Sequence, residues 1–109
     1  MNVLVVGREA HLVNASVAII HEHGFHALGV TRDEEAFAHL DTGAFAAVLV
    51  GSGVEYFSRG PLKQHAEPHR TAVLEARRMP NQTVQQHVQD VIVPQLRLLH
   101  QEYKEGPST

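Results

Sequence analysis

Val3-Leu4-Val5-Val6-Gly7 decides the fold. Four aliphatic residues in a row, closed by glycine, leave no polar face for water, so the strand they predict is covered on both sides, as in a parallel sheet. Immediately afterwards the period changes. Between Glu9 and His23, the residues Leu12, Val13, Ser16, Val17, Ile19 and Ile20 fall on one helical face, opposite Asn14, Ala18, His21 and Glu22, and Gly24 supplies a left-handed stop. Phe25 to Val30 reads as a second strand, marked as an edge by His26 and Gly29. Thr31-Arg32-Asp33-Glu34 has the spacing of a capping box and predicts a short helix that buries Ala36, Phe37 and Leu40 and ends near Thr42-Gly43.

Ala44 to Val50 is the third strand and runs into Gly51-Ser52-Gly53. From Val54 to Arg70 the breakers Gly60-Pro61 and Pro68 leave room only for a short helix around Leu62 to Ala66. Ala72 to Ala76 is a fourth strand, and Arg77 to Pro80 a loop. Asn81 suits an N-cap for the longest helix, which runs to about Tyr103 with the stripe Val84, Val88, Val91, Ile92, Leu96 and Leu99 and a kink at Pro94. Strands alternating with helices require right-handed crossovers, hence a three-layer α/β/α sandwich around a short parallel sheet in the order 2-1-3-4. Residues 1–103 form one domain and 104–109 a frayed, flexible C-terminal tail.

Composition agrees with this and excludes several classes of function. A chain of 109 residues with 43% hydrophobic content can build a single core without staples. There is no cysteine, so disulfides, thiolate nucleophiles and sulfur-ligated metals are out. Nine Lys and Arg against twelve Asp and Glu, with only Arg77-Arg78 adjacent, argue against nucleic acid as a partner. The longest apolar run, Ala44 to Val50, is too short to span a bilayer, and the start has no signal-peptide pattern, so the expected compartment is the cytoplasm, with no membrane partner.

In such sheets ligands sit outside the carboxyl ends of the strands where the winding reverses, here between the first and third strands. That places Gly7, Arg8 and Glu9 beside Gly51, Ser52 and Gly53 as candidate ligand-binding residues for a nucleotide or another anion. The bland reading of the same glycines is a pair of tight turns. His21, His23, His26, His65 and His69 lack the one-face geometry of a zinc site, and Ser52 lacks a nucleophile elbow and partners. No metal, cofactor or catalytic residue is expected. Asn14-Ala15-Ser16 and Asn81-Gln82-Thr83 are chance glycosylation triplets in predicted helices. In the last helix Val93 and Leu98 widen the apolar surface, which points to an interface, most simply a homodimer.

Glu35-Ala36-Phe37 followed by Gly43-Ala44-Phe45-Ala46-Ala47-Val48-Leu49-Val50 is similar to the second helix and phosphoacceptor strand of response-regulator receiver domains. The resemblance runs from Asn2 to about Leu99 and implies a flavodoxin-like or Rossmann-like fold and a regulatory role through protein contacts. The chemical motifs of the family are missing. Gly7-Arg8-Glu9 stands where receivers carry an acidic pair, Gly51 or Ser52 where they carry the phosphoacceptor Asp, and Glu75 where they carry Ser or Thr. With only Arg77 to Pro80 before the last helix, the fifth strand and its Lys have no place. Mg-dependent phosphorylation lacks its ligands and its acceptor. The expected function is therefore a non-enzymatic, phosphorylation-incompetent receiver-like domain acting as a homodimer or with a protein partner. The alternative is a small nucleotide- or anion-binding module that uses the loops after strands one and three.

Overall fold

Alternation along the aliphatic strands builds two cores, one on each side of a sheet. In the computed structural model, which describes residues 1–77 and 81–105, the first strand β1 (Asn2–Val6) lies between β2 (His26–Val30) and β3 (Ala47–Val50), and β4 (Ala72–Glu75) lies outside β3. All pairings are parallel, with Val3 opposite both Ala27 and Ala47, and Val48 opposite Val73. The order is 2-1-3-4, as read from the sequence, in a flavodoxin-like α/β arrangement. Successive side chains of a strand point to opposite faces. Val3, Val5, Ala47 and Leu49 accordingly meet the helix α1 (Ala10–Glu22) and the C-terminal helical stretch, whereas Leu4, Val6, Val48 and Val50 meet α2 (Asp33–Asp41) and α3 (Tyr56–Ala66). Ile20, Leu40, Leu62, Ile92 and Leu96 are fully buried across these two cores, and each contributes about 1.5–3 kcal/mol by leaving water.

Several elements depart from their sequence reading. α1 stops where expected, with Gly24 at φ +92°. α2, however, begins at Asp33 with Arg32 as its N-cap and no side-chain cap, so the Thr31/Glu34 box does not form. The regular pairing of β3 begins at Ala47 rather than Ala44. α3 runs from Tyr56 straight through Pro61 to Ala66. Gly60 precedes that proline and has no Cβ to collide with its ring, and the buried positions Ser58, Leu62 and Ala66 form a stripe that packing holds in place. Arg78, Met79 and Pro80, most of the expected loop, lie outside the described residues, as does the tail from residue 106.

The C-terminal stretch is three pieces in one: α4 (Val84–His87), a π-helical segment Val88–Ile92, and α5 (Val93–Glu105), two residues beyond the expected end at Tyr103. Its N-cap is Thr83, not Asn81, with a complete capping box in which Thr83 accepts the Gln86 amide and the Gln86 side chain accepts the Thr83 amide. Pro94 cannot donate to the helical ladder, and the wider π turn just before it carries the chain past the missing donor. That turn also inserts one residue, which rotates the following face by about 100°. As a result Val93 is 1% exposed in the core while Val91 faces solvent. The expected stripe and the expected interface exchange one member each.

Candidate functional site

The carboxyl ends of β1 and β3 turn into loops that rim one crevice of about 400 Å³, and its lining includes all six of Gly7, Arg8, Glu9, Gly51, Ser52 and Gly53. This is the point at which the winding of the sheet reverses. Leu49 and Val5 form the floor, the start of α1 one wall, and Val84 and Val88 the other. The crevice is therefore apolar below and mixed at the mouth.

Arg8 dominates the polar part. Its Nε donates to Glu55 Oε2 at 2.9 Å, Nη1 to the Thr31 carbonyl at 3.0 Å, and Nη2 to Asp33 Oδ1 at 2.7 Å and to Ser58 Oγ at 3.3 Å. Ser58, only 2% exposed, donates its own hydroxyl proton to Asp33 Oδ2 at 2.7 Å. One guanidinium thus ties the first loop to the start of α2 and the start of α3. At the start of α2, Arg8 engages the Thr31 carbonyl just before the Arg32 N-cap and the Asp33 carboxylate just after it. The hydrogen bond from Arg8 holds the Glu55 carboxyl below its ordinary value. Burial pushes the Asp33 carboxyl up, but the bonds from Ser58 and Arg8 outweigh it and the net direction is down. Glu55 in turn raises Arg8. Both acids stay ionised, so the positive charge expected to meet an anion already has two.

The backbone is also less open to an anion than the glycines suggest. The Gly7 amide donates to the Val30 carbonyl at 3.2 Å and the Gly51 amide to the Val6 carbonyl at 2.8 Å. A Cβ on Gly51 would stand 3.1 Å from that Val6 oxygen, a backbone atom with little freedom to retreat. Any side chain at 51, a phosphoacceptor included, would press on this close strand packing.

Beside this crevice, Glu75 at the end of β4 accepts from Arg59 at 2.9 Å, with Lys63 at 3.6 Å and Arg77 at 3.8 Å. The bond from Arg59 lowers the Glu75 carboxyl, against some desolvation, and the other two cations add to it. Arg59 also donates to the Gly51 carbonyl at 3.2 Å, linking the two sites. The position where receivers hold a hydroxyl is filled by an ion pair. Tyr56 and Phe57, at 91% and 76% exposure, line a second, shallower hollow together with Arg59, Lys63 and Glu75.

Sequence reasoning missed His87, which is 4% exposed and lines the crevice. The Arg77 amide donates to its Nε2 at 3.3 Å, so Nδ1 carries the proton and faces Gln82 Oε1 at 3.1 Å. The Thr83/Gln86 capping box, legible in the sequence, would have put His87 on the inner face with Val84 and Val88. The other histidines are dispersed. His21 donates to the Ala27 carbonyl, His23 meets Arg97, His65 pairs with Asp41 at 2.7 Å and stacks on Phe37, and His69 lies under Gly43. His26 meets the His21 ring edge-on. Of the two interface candidates, Val93 is in the core, and Leu98, at 62% exposure, is on the surface. Among the described residues no helix is long and apolar enough to cross a membrane. Comparison with family models, with curated proteins and with solved structures returned no match to this chain.

Proposed function

We propose that the chain is a receiver-like regulatory module of the cytoplasm that performs no phosphoryl transfer and acts by contact with protein, a second copy of itself included. The Arg8 cluster carries this reading. Where a receiver presents carboxylates to a divalent ion, the first loop here presents a guanidinium, and the two carboxylates that reach it are already bonded to it. The cation at this loop is the chain's own. Gly51 at the acceptor position and Glu75 at the hydroxyl position leave the rest of the chemistry without parts. The surface supplies contact area instead: Val91, Pro94 and Leu98 are exposed along the C-terminal helix at i, i+3 and i+7, and Tyr56 and Phe57 stand out from the start of α3. A two-fold pairing is the simplest cover for such a stripe.

Incubation with acetyl phosphate and Mg tests the reading by intact mass. Wild type should stay unmodified, and so should Gly51→Asp, whose new side chain is crowded by the Val6 carbonyl and faces no lysine. Addition of one phosphoryl group to the wild-type chain would overturn it.

A further inference from the structure

Beyond that reading, the crevice at the reversal point has the properties of a small-molecule site, and its chemistry selects a class of ligand. Its volume, about 400 Å³, falls in the range of roughly 300–1,000 Å³ usual for such sites, and its place in the fold is the one where α/β sheets bind ligands. Its floor and walls are Leu49, Leu12, Val13, Val84 and Val88, side chains that a ligand would bury along with its own apolar surface.

Three polar side chains of the lining, Arg8, Ser16 and His87, are engaged within the protein. Ser16 donates to the Leu12 carbonyl at 3.0 Å, His87 is bonded to Arg77 and Gln82, and Arg8 is bonded to Asp33, Glu55, Thr31 and Ser58. Binding there would rest on burial of apolar surface. The charges beside the crevice are taken up in the same way: Arg8 is paired with Asp33 and Glu55, Arg59, which is bonded to the Gly51 carbonyl, is paired with Glu75, and the exposed Glu9 stands beside His11. None of these cations is left over for an anion, and a charged ligand would lose its water without gaining a partner. We propose that this crevice binds a small, largely apolar, uncharged molecule in preference to nucleotides and other ions.

A series built on one ring tests the charge argument. Indole, tryptamine and indole-3-acetate share one ring system and differ in charge. Titrated to about 1 mM into the full chain and followed by amide chemical shifts, indole should move the amides of Leu12, Val13, Gly53 and Val88. Tryptamine and indole-3-acetate should each bind at least about tenfold more weakly. AMP should leave these amides unmoved. Val84→Trp, which fills the crevice from its wall, should abolish the shifts. Should that variant lose its fold, Gly53→Trp narrows the mouth from a position with no heavy atom within 4 Å of the added Cβ, and should do the same. The proposal fails if indole does not move the lining amides, if tryptamine, indole-3-acetate or AMP binds as tightly as indole, or if the shifts survive in the folded variant.

Discussion

Arg8 reaches residues 23 to 50 positions away in the chain, and its partners determine how acid acts on this protein. The Asp33 side chain is 28% exposed and held below its ordinary value, so its charge contributes stability above about pH 4 and loses it as the pH falls through the lowered value. Asp33→Ala removes the acceptor of both Ser58 and Arg8. Urea unfolding at pH 7 should show a loss of about 1–2 kcal/mol, between the small worth of an exposed pair and the larger cost of breaking a buried one. The gap between variant and wild type should stay constant down to about pH 5 and close below about pH 4. A gap that widens with acid would mean that Asp33 is not held by these bonds. Glu75, lowered first by Arg59, adds to the same acid-side loss.

The C-terminal helix shows how one widened turn redistributes a surface. The π segment sets which face of the helix beyond it points inward, and Val93 and Leu98, five positions and hence about 140° apart on that helix, have opposite fates, one in the core and one in water. Lysine at each position separates packing from association. Val93→Lys places an ammonium among Val88, Ile92 and Leu96 without a partner and should lower stability by more than about 3 kcal/mol in urea unfolding. Leu98→Lys should leave the unfolding curve within about 0.5 kcal/mol of wild type, while sedimentation at tens of micromolar, an order-of-magnitude concentration for weak dimers, should show a dimer for wild type and a monomer for the variant. A wild-type chain that sediments as a monomer there removes the homodimer from the reading.

At the scale of the molecule, charge is set by nine histidines against a net of -3. Protonating all nine would add nine charges and take the net to +6. The sequence isoelectric point is about 6.3, so solubility should pass through a minimum between pH 7 and pH 5 and recover below it. Turbidity against pH checks this; a flat profile over that interval would show that charge does not govern association.

The strand order, the two-faced sheet and the meeting of Gly7-Arg8-Glu9 with Gly51-Ser52-Gly53 come from features local to the chain. Glycine-closed aliphatic runs, a change of period from two to 3.6, and the handedness of crossovers are enough to bring the ends of β1 and β3 together. What these loops do once together was decided by tertiary structure. Nothing near Arg8 in the sequence announces Asp33, Ser58 or Glu55, because their approach depends on α2 and α3 docking on the same face of the sheet. The continuity of α3 through Pro61 and the inward turn of Val93 have the same origin: a breaker and a periodic pattern state local preferences worth a few kcal/mol, and burial of Leu62, Ala66, Ile92 and Leu96 outweighs them. The sequence by itself determined where a ligand could be met. The charge that would meet it was settled by which side chains the packed helices brought within hydrogen-bonding distance, since those interactions act over a few ångströms of space and not along the chain.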